Sequence, residues 1–313
     1  MKIKIASPLA FHELGQRANQ EDALWPLLGQ ATVADRLFMV CDGMGGHDHG
    51  EVASQTVASA IGNFLVNRLP VEEPLSDDFL VSAISKAYDQ LDRIDSPDDL
   101  RKMGTTLTLV CLHRGGATMA HIGDSRIYHV RPSKGEREAT VLYQSRDHSL
   151  VMDLYLAGDL SREEMDTYEG KNIITRAMQP HQERRSLPDI VHTTDIVPGD
   201  LFLLCSDGVL ENISNARLLD ILTSDVSCEE KFRQLKEASA IADDNHTACL
   251  LHIVGVENEP SDSTALHNED TSRANFLVAQ RAREDDSPMP ASQVDSSWIS
   301  KIKRRLSTWQ KWL

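Results

Sequence analysis

The stretch GTTLTLVCLHRGGATMAHIGDSRIYHV, residues 104 to 130, constrains the fold more than any other part of the chain. It is rich in β-branched and apolar residues and is broken at Arg114-Gly115-Gly116, so it reads as strand, turn and strand. Hairpins build antiparallel sheet. RLFMVCDG (36 to 43), GDLFLLCSDG (199 to 208) and HTACLLHIVGV (246 to 256) have the same character, and Pro198-Gly199-Asp200 marks another turn. Between them, GEVASQTVASAIGNFLVNRL (50 to 69) and DDFLVSAISKAYDQLDRI (77 to 94) place apolar residues at three- and four-residue intervals, the pattern of helices that bury one face. Sheet strands separated by paired helices predict an α+β layered domain with the helices packed outside the sheets. Residues 145 to 180 form an excursion between strands that reads as mostly helical, and long insertions at a domain face often carry recognition or gating.

Charge and cysteine usage exclude several classes. A net charge of −16 over 313 residues argues against nucleic-acid binding through a general basic field. The five cysteines have no CxxC spacing, and four of them (Cys41, Cys111, Cys205, Cys249) sit inside apolar runs, as small buried hydrophobes in a reducing compartment do. The opening MKIKIASPLAFHELG has no apolar segment of signal-peptide length, and nowhere do about 18 consecutive apolar residues occur. A cytoplasmic protein is expected.

The character changes after residue 256. Residues 257 to 295 hold nine acids against three bases without sustained periodicity, the composition of a flexible linker. SSWISKIKRRLSTWQKWL (296 to 313) reverses the sign, with five bases, no acid and three of the four tryptophans. Trp298, Ile302, Leu306, Trp309 and Leu313 recur at helical spacing. Such a helix suits an anionic membrane surface, which would make the protein peripheral at the inner membrane face, or a partner's groove; the third reading is a basic end without function.

Five places combine an acid with a strand end or a small-residue turn: Glu21-Asp22, Asp42, Asp124, Asp207 and Asp243-Asp244. Singly each has an ordinary explanation, since Asp-Gly after a strand is more often a turn than a ligand. If the acids converge they need cations, because crowded carboxylates repel. Oxygen donors without His or Cys favour Mg²⁺ or Mn²⁺ over zinc.

RANQEDAL, CDGMGGHDHGEVAS, MGTTLTLV, HIGDSRIYHV, SRDHSLV, NIITRAM, PGDLFLLCSDGVLENI and DDNHTACLL occur in this order, and together they resemble the motifs of the metal-dependent serine/threonine phosphatases of the protein phosphatase 2C (PPM) family, in its bacterial form. The resemblance covers residues 7 to 256 and makes 1 to 256 the catalytic domain. It implies a central sandwich of two antiparallel β-sheets flanked by helices on both faces. It also implies that Asp42 bridges two metal ions, with the Gly43 carbonyl on one of them. Asp207 and Asp244 would hold the first ion, and Glu21 and Asp22 would serve the second, partly through water. Asp124, with Asp207, would face a third, weaker position. Arg17 would hold the substrate phosphate, and residues 145 to 180 would be the family's flap.

The chemistry follows from that arrangement. Two divalent ions sharing a water lower its pKa from about 15.7 towards neutrality, and the resulting hydroxide attacks phosphorus in line while Arg17 and the metals neutralise the phosphoryl oxygens. Met44 stands where many relatives carry a proton-donating His, which leaves the general acid to metal-bound water or His148. Asn19 stands one place early in the first motif, and Asp243 adds a charge beside Asp244. The expected activity is metal-dependent hydrolysis of phosphoserine and phosphothreonine in proteins, reversing a bacterial serine/threonine kinase. The alternative is a non-catalytic scaffold that binds a phosphoprotein partner.

Overall fold

In a computed structural model describing residues 2–257 apart from 46–48, 71–72, 96–102, 136 and 166, the apolar runs are strands buried on both sides. The linker beyond residue 257, the basic segment 296 to 313 and Gly46 of the glycine-rich turn lie outside the described residues. In chain order come β1 (Lys2–Ile5), β2 (Leu9–Glu13), β3 (Ala23–Trp25), β4 (Leu37–Cys41) and the short β5 (Gly43–Met44), then α1 (His49–Arg68) and α2 (Asp77–Ile94). The chain continues through β6 (Gly104–Thr105), β7 (Leu107–His113), β8 (Gly116–Ile122), β9 (Arg126–Arg131), β10 (Thr140–Gln144), α3 (Leu150–Leu156), α4 (Arg162–Met165) and β11 (Asp189–Thr193). It closes with β12 (Leu201–Cys205), α5 (Asn215–Thr223), α6 (Cys228–Ser239) and β13 (His246–Glu257). The described chain falls into two compact units, residues 2–148 with 174–257 and residues 149–173.

The described residues of the larger unit form two large antiparallel sheets and the short two-stranded pair β5 with β6. One runs β1, β13, β12, β9, β10, with β2 also on β13; the other runs β11, β8, β7, β4, β3. Because side chains alternate along a strand, a continuous apolar run supplies two faces at once. Phe38 and Val40 of β4 meet Phe202 and Leu204 of β12 in the core between the sheets. Leu37, Met39 and Cys41 point the other way, into a core with Val57, Ile61 and Leu65 of α1 and Leu80, Ile84 and Leu91 of α2. Leu201, Leu203 and Cys205 do the same on the far side, packing on Leu218, Ile221 and Leu222 of α5 and Leu235 of α6. The result is helix, sheet, sheet, helix, as expected. Each large side chain so buried contributes about 1.5–3 kcal/mol.

Two local expectations change. β7 and β8 form the predicted hairpin, in register from Leu107 with Ile122 to His113 with Gly116. β8 and β9, however, belong to different sheets, so Gly123-Asp124-Ser125 is a crossing between sheets that divides what reads in the sequence as one strand. Gly123 permits it, with φ at +109°, a conformation that side chains disfavour. The excursion is also less helical than its composition predicts. Within residues 149–173, helix covers Leu150–Leu156, which stops before left-handed Gly158, and the single turn Arg162–Met165. That turn is started by reciprocal bonds, Ser161 N–H to Glu164 Oε2 (2.7 Å) and Glu164 N–H to Ser161 Oγ (3.3 Å).

Candidate active site

Asp42 follows β4, and its main chain is tied on both sides. Its N–H donates to Thr106 Oγ1 (2.9 Å), and its carbonyl accepts from Thr106 N–H (2.8 Å) and the Thr105 hydroxyl (2.9 Å). The chain then continues extended, Gly43 and Met44 pairing with Thr105 and Gly104. The first Asp-Gly is therefore a strand junction and not a hairpin turn. Gly43 is required by close approach: a Cβ there would lie 2.1 Å from Gly50 O and 2.3 Å from Glu21 O, both main-chain atoms. Gly43 N–H in turn donates to Glu21 O (3.1 Å), which joins the Glu21-Asp22 segment to Asp42.

Asp207 follows β12 and opens a single 3-10 turn, Asp207–Val209. The residue before it, Ser206, donates its hydroxyl to Asp22 Oδ2 (2.8 Å) and accepts from Thr247 N–H (2.9 Å). Asp124 lies in the crossing between β8 and β9, where Ser125 Oγ meets Thr106 Oγ1 at 2.8 Å. Asp244 stands two residues before β13 and accepts from Arg17 Nη2 (2.6 Å). Arg17 itself is half exposed.

These ends converge electrostatically. Burial together with the charges of Asp207, Asp22 and Asp124 pushes the Asp42 carboxyl well above the usual range. Burial, then Asp207, does the same to Asp124, and burial also raises Asp207. Asp22 is pushed up to about 8, chiefly by burial, with Asp207 and Asp244 adding to it against the hydrogen bonds of Thr247 and Ser206. Asp124 Oδ1 and Asp207 Oδ1 are buried and have no hydrogen-bond partner among the described residues. Glu21 and Asp42 both act on Arg17, after Asp244. All seven predicted side chains thus belong to one neighbourhood. Buried acids that raise one another and leave oxygens unpartnered have the electrostatic demand of a divalent-cation site, and an all-oxygen donor set suits a hard ion.

A second cluster does not meet that test. One ligand atom each of His121, His148 and Asp189 lies within 4.8 Å of the others. But Arg176 Nη1 stands 2.9 Å from Asp189 Oδ1 and 3.2 Å from His148 Nε2, so a guanidinium already supplies the positive charge. His148 Nδ1 accepts from Gly123 N–H (3.1 Å), which places the ring proton on Nε2 and removes the lone pair a metal needs.

The family model described as Protein phosphatase 2C matches residues 12–240. The chain belongs to the protein phosphatase 2C family. Protein phosphatase PhpP of Streptococcus pneumoniae is 32% identical over 224 residues, covering 71% of this chain and 87% of that protein. The Mycobacterium tuberculosis serine/threonine phosphatase PstP/Ppp has a similar crystal structure, with a TM-score of 0.67 at 28% identity over 81% of this chain and 100% of that one. A further structure, the PstP catalytic domain in complex with two manganese ions, has a TM-score of 0.65 at 28% identity and the same coverage.

Within this phosphatase 2C framework, several residues to which the sequence assigned no role hold the acids in place. Asn245 accepts from Glu21 N–H (2.7 Å) and donates to Leu14 O (2.8 Å) and Asn19 O (3.1 Å), tying the Arg17–Asp22 segment to the start of β13. Asp243, an unexplained charge in the sequence, latches the residue before Arg17: Gln16 N–H donates to Asp243 O (3.0 Å) and Gln16 Nε2 to Asp243 Oδ1 (2.5 Å). Ser206 and Thr247 do the same for Asp22. Their only advance signal is position, each beside an acid at a strand end. Both ring nitrogens of His148 are engaged within the fold, Nδ1 with Gly123 N–H and Nε2 with Asp189.

Proposed function

We propose that this chain is a protein serine/threonine phosphatase that uses Mn²⁺ or Mg²⁺ to hydrolyse phosphoserine and phosphothreonine. The observation that carries the reading is the convergence of Asp22, Asp42, Asp124 and Asp207, from four separate stretches, with buried oxygens of Asp124 and Asp207 unpartnered among the described residues. In this reading Asp42, the Gly43 carbonyl, Asp207 and Asp244, together with Glu21 and Asp22, would hold a pair of divalent ions. Asp124, with Asp207, would hold a third and weaker one. When bound, such ions supply a lowered water pKa and offset charge on the phosphoryl oxygens.

The chain's own residues do the rest. Arg17, anchored by Asp244 and half exposed, clamps the substrate phosphate from the solvent side. Ser206 and Thr247 keep the Asp22 carboxylate oriented inside the site. Neither Met44 nor His148 gives a proton to the leaving alkoxide: the first has none to give and the second is engaged on both nitrogens. No nucleophilic Ser or Cys is needed, and the five described cysteines are buried. A non-catalytic scaffold is not favoured, because every acid of the constellation is present.

The substrates are phosphorylated proteins, and a serine/threonine kinase of the same cell is the source of the phosphate removed. No helix among the described residues is long and apolar enough to cross a membrane. Within the same proposal the protein works in the cytoplasm, and the basic Trp-rich segment 296–313 tethers it to an anionic membrane surface. Equal sedimentation on anionic vesicles of the full chain and of one ending at residue 256 would remove the tether.

Hydrolysis of a phosphothreonine peptide with and without Mn²⁺, alongside Asp42→Asn, tests the activity. Turnover should need the metal and be largely abolished by the substitution, whereas Arg17→Ala should chiefly raise KM. Turnover that persists in excess chelator, or survives Asp42→Asn intact, would sink the mechanism.

A further inference from the structure

Asp124 is the one acid of the cluster carried by a crossing between sheets, and its direction depends on what holds the flanking residues. His148 holds the residue before it. Its main-chain N–H donates to Gly123 O (2.9 Å) and its Nδ1 accepts from Gly123 N–H (3.1 Å), so the left-handed glycine is gripped on both sides. Asp147 holds the residue two places after it, through a bidentate pair with Arg126, Oδ1 to Nε and Oδ2 to Nη2, both 2.6 Å. Adjacent residues thus clamp both ends of Asp124-Ser125. Ser125 is also tied to Thr106, which bonds the Asp42 main chain, so the frames of Asp42 and Asp124 are linked.

The His148 ring is itself locked. Its Nε2 faces Asp189 Oδ2 (3.2 Å) on β11, and Asp189 Oδ1 accepts from Arg176 Nη1 (2.9 Å). His121 stacks on the ring, centroids 4.5 Å apart and planes 17° apart, with its own Nε2 donating to Arg146 O (2.7 Å). The main-chain carbonyl of His148 accepts from Thr175 N–H (2.8 Å). A buried residue whose ring is held at both nitrogens and on one face, and whose main-chain carbonyl is also bonded, has one orientation, and its bonds towards the acids run through the Gly123 peptide.

We propose that His148, locked by Asp189, is a positioning residue that aims Asp124 and so sets the affinity of the weakest divalent-cation position. The proposal rests on the reading of Asp124 as a ligand. Partners that orient a ligand are worth roughly 10- to 100-fold in metal affinity. His148→Phe removes the acceptor for Gly123 N–H and the donor to Asp189. His148→Asn keeps an acceptor at nearly the place of Nδ1.

Mn²⁺ binding to the full-length protein, measured by calorimetry and by paramagnetic resonance of free Mn²⁺, tests this with Asp124→Asn as the reference. Asp124→Asn should abolish the weakest binding event. His148→Phe should weaken that event by about tenfold or more and leave the tighter events within about twofold, while His148→Asn should recover most of the loss. Wild-type binding by a folded His148→Phe, while Asp124→Asn loses the weak event, would overturn the positioning role alone. Unchanged binding in Asp124→Asn would overturn the ligand reading and the proposal with it. If His148→Phe does not fold, Asp189→Asn at a half-exposed strand position carries the test: a weaker last event supports the lock, and none refutes it.

Discussion

Asp22→Asn should stabilise the metal-free protein, although it removes a residue of the active site. Asp22 is 2% exposed and its carboxyl is pushed up to about 8 from an unfolded value near 3.8. An acid raised in the folded state binds its proton more tightly there than in the unfolded chain, so stability falls as pH rises from about 4 towards 8. At pH 7 the span above 3.8 is about three units, or about 4 kcal/mol at 1.36 kcal/mol per unit. Asp207 and Asp244 share that repulsion, and the amide must keep the bonds of Ser206 and Thr247, which together reduce the expected gain to about 2 kcal/mol. For a domain of this size that is about 4–8 °C in Tm. Melting in excess chelator at pH 7.5 and pH 4.5 measures it: the variant should melt higher at pH 7.5, and the difference should shrink at pH 4.5. Mn²⁺ should raise the wild type more than the variant, because the cation offsets the repulsion that the substitution has already removed. A variant that melts lower than wild type by the same amount at both pH values would refute the electrostatic argument.

Gly43→Ala should cost both fold and turnover, because a Cβ 2.1 Å from a main-chain oxygen can be relieved only by moving β5 or α1; a Tm drop of several degrees with loss of Mn²⁺ binding is expected. Asp243→Ala should raise KM for a phosphopeptide a few-fold with kcat nearly unchanged, since it removes the side-chain bond to Gln16 beside the phosphate clamp while keeping the main-chain bond and the acids in place; an unchanged KM would show that the side-chain half of the latch does not hold Arg17. His113, buried with its pKa lowered to about 4 chiefly by desolvation, contributes stability that is present above pH 6.5 and lost as pH falls towards 4. His113→Gln should therefore narrow the fall in urea midpoint between pH 7 and pH 5.

How much of this was legible in advance follows from the range over which each cause acts. Residues 37–41 and 201–205 are apolar at every position because both faces of those strands are buried, and helix α2 follows from periodicity within its own segment. Local physics sufficed there, and it also marked the acids at strand ends as candidates, with their order supplying the resemblance to phosphatases. It could not say that Gly123-Asp124-Ser125 crosses between sheets, because a turn and a crossing use the same residue types. Nor could it show that Asn245 reaches back to Glu21, that Asp243 latches Gln16, or that His148 grips Gly123, since these partners are 224, 227 and 25 residues apart and their bonds exist only once the sheets have packed. The sequence by itself determined the layers and the chemistry on offer. The tertiary structure alone decided which acids share a buried site and which neutral or neighbouring groups aim them, because burial and repulsion depend on distances that no single stretch of chain contains.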